Sequence, residues 1–359
     1  MHLELRPVPD YKWQYLSPLL ATMLTLLSGW LLFAWLTDAP GHALYVFFIA
    51  GISDAFGLSE WLLKATPMLL CAYGLAICYR ASLWNIGAEG QLLMGALVGS
   101  AVALEFLDSE SSLAIPSVIL AGMTGGALWA LLAGLLKFRF NTSEILTTIM
   151  LNYIAMNLLQ WAVYGPLKDP GGFNFPESAL FSEATLLPVL WPDTRLHVGF
   201  LFTCVVMPLT WLLLAKSFVG FQIQVAGQDP KAAVMAGYPV KRLGYVVLLI
   251  SGALAGLAGA VEVIGPLGQL VPTVSPGYGY SAIIIALLGR LHPVGITLAG
   301  LLVSLLFMGA ELSQIEMGLS SAIASLFQGL LLFFFLACDV LIRYRIRFSP
   351  GTVTPQPNH

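Results

Sequence analysis

The sequence predicts an all-α, polytopic membrane protein, and three observations carry that prediction. Of its 359 residues, 58% are apolar and 10% charged, whereas a soluble domain holds roughly a quarter charged residues. The apolar residues fall in runs of bilayer-crossing length. Once the chain is threaded through a bilayer on those runs, its Lys and Arg residues gather on one side.

A helix crossing the hydrocarbon needs about 20 apolar residues, because lipid offers no partners to unpaired backbone groups. Charge-free runs long enough to cross occur at 16–37, 111–136, 145–167, 196–215, 243–261, 291–310 and 317–338. Three shorter runs, 65–79, 90–104 and 277–289, bring the expectation to about ten transmembrane helices with broken or re-entrant segments. The first run lacks a small-residue cleavage site and reads as a retained span. Ten crossings place both termini on one face. With that face cytoplasmic, Arg6, Lys12, Arg80, Lys137, Arg139, Lys216, Lys231, Lys241, Arg242, Arg290, Arg343, Arg345 and Arg347 lie inside, and only Lys64, Lys168 and Arg195 outside.

This threading divides the chain into a cytoplasmic N-terminus (1–15), a membrane domain (16–338) and a cytoplasmic tail (339–359), disordered beyond Arg347. Two extracytoplasmic segments are long. The first, 38–64, holds ALYVFFIAGI, too short to span and expected along the interface. The second, 166–196, is rich in Pro, Gly and acids and reads as an exposed loop. A net charge of −3 without a basic stripe suggests no nucleic-acid partner. Cys71, Cys78, Cys204 and Cys338 sit in apolar runs without ligand spacing, which reads as packing and supports no metal site.

The runs flanking ASLWNIGAEGQ are short, so the segment between them is expected to dip into the interior, with Gly87 and Gly90 permitting the sharp backbone. The second half offers a counterpart, PLGQLVPTVSPGYGYSAIIIALLGR. Paired Gly/Pro-interrupted short segments mark a translocation pathway in transporter folds. The alternative is a pair of ordinary loops. On the pathway reading, the candidate residues are Trp84, Asn85, Glu89, Gln91, Asn152, Asn157, Tyr280 and Ser281. Glu89 reads either as a pathway carboxylate or as a residue of a wet loop. Asn152, Tyr153 and Asn157 share one span and read either as channel lining or as interhelical hydrogen-bonding groups. Glu262 and Glu311 are expected to reach the headgroups, and most tryptophans other than Trp84 to form an interfacial belt.

The longest inside loop, 216–242, contains DPKAAVMAGYP. Asp229 is a good N-cap, Pro230 suits the first helical position, and Gly237 with Pro239 ends the turn. So short a helix needs a surface to dock on.

LWNIGAEGQLLMGAL, NTSEILTTIMLNYIA, GQDPKAAVMAGYPVKRLGYVVLLISGALAGLAGAVEV and GYGYSAIIIALLGRLHPVGI together resemble the permease subunits of ABC importers of the branched-chain amino acid, ribose and nucleoside type. The resemblance covers about residues 64–339, and NIGAEGQ and ALLGR place it nearest the nucleoside branch linked to basic membrane lipoproteins. It implies a pathway for a nucleoside or related sugar-like solute, in a multi-pass protein of the bacterial inner membrane. It also implies a coupling helix, Asp229, Pro230, Ala232, Ala233, Met235, Ala236 and Gly237, inserted into a groove on a cytoplasmic ABC ATPase. Further implied partners are an extracytoplasmic substrate-binding lipoprotein and a second, paralogous permease. The chain contains no G-x-x-x-x-G-K-[ST] loop to cradle phosphates. It is therefore expected to be non-catalytic and to bind no cofactor, with ATP and Mg on the partner ATPase. The alternative is an ion-coupled secondary transporter, which the broken segments fit equally well. That mechanism wants buried titratable groups, and the spans offer little beyond Glu89. An intramembrane enzyme finds neither HExxH nor GxSxG here.

Overall fold

The computed structural model describes residues 2–5, 12–172, 174–320 and 322–347. Strand β1 (His2–Leu5) pairs antiparallel with the last element, β2 (Tyr344–Arg347). The first and last described segments, 2–5 and 344–347, therefore meet at one end of the molecule, as an even number of crossings requires. The tail beyond Arg347, expected to be disordered, lies outside the described residues, as does Arg6.

Between the strands the chain is helical: α1 (Lys12–Leu36), α2 (Pro40–Phe48), α3 (Ala55–Arg80), α4 (Ala88–Leu104), α5 (Ala114–Phe140), α6 (Glu144–Tyr164), α7 (Gly199–Trp211), α8 (Phe218–Gln228), α9 (Pro230–Met235), α10 (Val240–Glu262), α11 (Tyr278–Leu288), α12 (Pro293–Met317) and α13 (Ala322–Arg343). Single π-helical turns, Leu212–Lys216 and Val263–Leu267, extend α7 and α10. Among the described residues, seven helices are long and apolar enough to cross a membrane: α1, α3, α5, α6, α7, α10 and α12. The chain makes ten passes. Eight are these seven and α13, and two are composite, with 81–87 leading into α4 and 268–277 leading into α11. It is a multi-pass membrane protein.

The first long outer segment is shorter than the sequence suggests. Asp54 caps α3 by accepting from the Gly57 N–H at 2.7 Å, so the helix begins ten residues before the expected span. At 26 residues it is about 39 Å long, a full crossing. The charge-free search stopped short because Glu60 and Lys64 lie inside the helix, where each has a partner. Arg195, from the loop before α7, clasps the buried Glu60 with Nε (2.9 Å) and a second nitrogen, and Lys64 meets Glu311 of α12 at 2.8 Å. Glu262, expected at the headgroups, is buried beside Lys64 and Arg195. These spans thus hold more buried charge than the sequence indicated.

Other boundaries move for similar reasons. The ALYVFFIAGI stretch does not lie free along the interface: α2 packs on α12, and Phe47 is buried with its ring centroid 4.8 Å from that of Phe327 in α13. The loop after α6, expected to be exposed, folds back over the end of α10. Ser178, Phe181 and Leu187 donate backbone hydrogen bonds to Leu270, Gly268 and Ile264 at 2.9–3.0 Å, and Phe181 and Leu187 are buried. Met317 ends α12 rather than opening the last span, because Gly318 turns left-handed (φ 66°).

The interior is built on α3, α4, α5 and α10. Gly95 of α4, Gly122 and Gly126 of α5, and Gly252 and Gly256 of α10 bring three helices together backbone to backbone. A β-carbon on Gly256 would sit 2.2 Å from the Gly122 carbonyl oxygen. Such close approach maximises dispersion contact where lipid removes any hydrophobic drive for helices to associate.

Candidate translocation site

The two broken segments meet. After Arg80 the chain turns at Ser82 (φ 54°) and climbs back beside α3. Asn85 reaches Ser251 of α10, the residue against which Gly74 of α3 is packed. Gly74 lies six residues before Arg80, so the segment has returned about 9 Å into the bundle before α4 starts. The second segment descends from the end of α10, and Gly279 lies directly on Glu89.

Asn85, fully buried, is the hub of the first segment. Its Nδ2 donates to Gln91 Oε1 and Ser251 Oγ, both at 3.1 Å. Its Oδ1 accepts from the Gly87 N–H at 2.9 Å and Gln91 Nε2 at 3.0 Å. Tyr79 donates its hydroxyl to the Asn85 carbonyl at 3.1 Å. From α6, Asn152 accepts from the Gly90 N–H (2.9 Å) and donates to the Ile86 carbonyl (2.9 Å) and Tyr280 OH (3.3 Å). Thr148 accepts from the Ile86 N–H at 3.2 Å. Non-helical backbone at membrane depth survives only when its polar groups are satisfied within the protein, and these side chains do that here.

Glu89 has a role that neither sequence reading contained. α11 opens on Gly277 in the left-handed region (φ 97°), and its N-cap residue supplies no side-chain acceptor. Instead the Glu89 carboxylate, from α4, accepts from the Gly279 N–H at 2.7 Å, with the Tyr280 N–H and Ser275 hydroxyl also bonded to it. Ser275 Oγ accepts from Gly277 and Tyr278 N–H at 3.1 and 3.0 Å. The first orphan donors of α11 are satisfied across the gap by a carboxylate at the positive end of the helix dipole. Because a carboxamide keeps an acceptor oxygen, Glu89→Gln is expected to retain most of the stability, whereas Glu89→Ala should lose about 2–3 kcal/mol. Thermal unfolding in detergent distinguishes them, and equal behaviour would remove the capping role.

The remaining predicted residues divide by exposure. Trp84 is 45% exposed with its ring 5.1 Å from Tyr79, and Tyr280 is 44% exposed. Ser281 points away from the junction and donates to Gln328 of α13 at 3.0 Å. Asn157 does not join the cluster: it lies five residues beyond Asn152, about 140° round the helix, and is exposed. That separation was readable in the sequence. Ser251, Thr148 and Ser275 were missed, since single hydroxyls in apolar runs carry no distinguishing pattern.

The loop at the termini end touches the same assembly. Asp229 caps α9, accepting from the Lys231 and Ala232 N–H groups at 2.9 and 3.1 Å, Pro230 takes the first position, and Gly237 turns left-handed (φ 80°). The sequence did not indicate α8, whose penultimate residue, Gly227, accepts from the Ser82 hydroxyl at 2.7 Å. Only Ala233 of α9 is buried, while Val234 and Met235 are 62% and 86% exposed.

Ten passes, two of them broken and joined where Glu89 caps α11, suit a membrane transport subunit. The chain belongs to the family of permease components of branched-chain amino acid transport systems, which matches residues 57–336. It is similar to the glucose ABC transporter permease of Haloferax volcanii (34% identity, 95% of this chain and 92% of that one). A guanosine ABC transporter permease of Bacillus subtilis is 32% identical over 94% of this chain and 95% of its own length. A second guanosine permease from that organism is 26% identical over 65% of this chain and 75% of its own. No solved structure matches the chain significantly. The protein is thus a permease of the ABC importer class.

Proposed function

We propose that this chain forms the translocation pathway for a nucleoside or related sugar-like solute, handed over by an extracytoplasmic binding protein and driven by a separate cytoplasmic ATPase that holds ATP and Mg. The observation that carries the reading is α9. A six-residue helix, fixed by its own cap and joined through α8 to Ser82, presents Val234 and Met235 to solvent at the end where the basic residues gather. An exposed apolar pair on so short a helix suits a groove on a partner, and closure of that partner would press through Gly227 on the first broken segment. This end is then cytoplasmic, and the chain itself needs no cofactor. The solute class follows the relatives named for glucose and guanosine, both neutral hydroxylated ring compounds. The two guanosine permeases of one organism support a paralogous second permease here.

Met235→Asp tests the coupling. The protein should remain in the membrane while the ATPase binds about 30-fold more weakly, the loss of a hot-spot contact of about 2 kcal/mol, and ATP-dependent uptake falls with it. Uptake by the isolated chain that follows a proton or sodium gradient would favour the secondary-transporter alternative.

A further inference from the structure

The exposed face of α6 differs from those of α5 and α7. Tyr153, Asn157, Gln160 and Tyr164 are all exposed, and at 100° per residue they fall within a sector of about 60°. They cover about 17 Å of the helix. Apolar residues border them, Met156 on one side and Ile154 and Trp161 on the other. Among the described residues, the exposed positions of α5 and α7 carry no amide or phenol side chain.

Asn157 donates to the Tyr153 carbonyl of its own helix at 2.7 Å, and among the described residues no other helix supplies a partner to Asn157, Gln160 or Tyr164. Amides that leave donors and acceptors unmet in hydrocarbon are strongly disfavoured, so this stripe faces water or another chain. Its position favours water. Tyr153 directly follows Asn152, which donates to Tyr280 OH at 3.3 Å and holds the first broken segment in place. From there the stripe runs without interruption to the end of the bundle opposite the termini.

We propose that Tyr153, Asn157, Gln160 and Tyr164 are the solute-contacting wall of the outer half of the pathway, a groove on the outside of this chain that a second permease closes. Phenol rings supply flat contact and the two amides supply donors and acceptors, while no charged side chain lies in the stripe. The wall therefore selects neutral ring solutes bearing several hydrogen-bonding groups. This rests on the importer reading above and adds where, and by which side chains, the solute is read.

The test uses the complete transporter in membrane vesicles, carrying Cys204→Ala, since Cys204 is exposed and the other three cysteines are buried. Asn157→Cys, Gln160→Cys and a reference on the apolar face of α5, Leu128→Cys, are treated with a membrane-impermeant thiol reagent that reacts only in water. The two α6 positions should label at least tenfold faster than the reference, and a saturating transported solute should slow them. Gln160→Leu should raise the KM for uptake at least fivefold with ATPase co-purification unchanged. If the complex transports while neither α6 position labels faster than the reference, or both instead cross-link to the second permease, the wall assignment is overturned and the importer reading stands. Absence of ATP-dependent uptake by the unsubstituted complex would overturn both.

Discussion

Gly279→Val is expected to leave little folded protein in the membrane and no uptake. A β-carbon at this position lies 2.3 Å from Glu89 N, 2.5 Å from Glu89 Cα and 2.7 Å from Ala88 C. Non-bonded carbons settle at about 3.5–4.0 Å, and all three neighbours are backbone, so no side chain can swing aside. The two broken segments would have to separate by about 1 Å, stretching the 2.7 Å bond from Gly279 N–H to the Glu89 carboxylate. Overpacking of this kind costs about 1–3 kcal/mol, and the lost charge-assisted bond about 1.5–3 kcal/mol more. Set against a total stability of about 5–15 kcal/mol, that is a large share. Yield after size-exclusion chromatography and the Tm in detergent measure it. Gly329→Val, on α13 where a β-carbon meets nothing within 4 Å, should behave as the unsubstituted protein. Equal behaviour of the two variants would show that the segments do not need their close contact.

Arg195→Leu should be nearly as damaging, although Arg195 is itself half exposed. Its guanidinium clasps both oxygens of Glu60, whose side chain is 9% exposed, and it lies near the buried Glu262. Removing the cation leaves two acids in a poorly solvated site with Lys64 alone to offset them, and Lys64 is already bonded to Glu311. Breaking a fully buried pair from one side costs about 3–5 kcal/mol, and the exposure of Arg195 places this pair at or below the lower end of that range. Arg195→Lys keeps the charge but loses the two-pronged geometry and should fall between. Adding Glu60→Gln to Arg195→Leu should recover part of the loss. A double-mutant cycle on the Tm in detergent reads the coupling, and strict additivity would show that the pair does not stabilise the fold.

The site was legible in the sequence to an uneven degree. The break after Arg80 and its counterpart before α11 were visible as short apolar runs separated by Gly, Pro and amides, because spanning length is a property of one segment. Asp229, Pro230 and Gly237 were readable for the same reason, since caps act within a few residues. Glu89 was not readable: its partners are Gly279, Tyr280 and Ser275, 186–191 residues away, and nothing local distinguishes a carboxylate that caps a distant helix from one in a wet loop. The start of α3 was hidden likewise, because Glu60 and Lys64 look disqualifying until Arg195 and Glu311 are placed beside them.

The sequence by itself determined that this is a membrane protein, that it crosses about ten times with its basic residues to one side, and that two passes are broken. Each follows from the cost of placing charge or unpaired backbone in lipid, which every segment meets independently. Only the tertiary structure decided which polar residues face inward. It turned Asn85, Glu89, Gln91 and Asn152 into clamps that hold the broken segments together, and left Trp84, Tyr280 and the stripe on α6 facing outward. A hydrogen bond is satisfied by whatever the fold brings within about 3 Å, and no single segment of the chain carries that information.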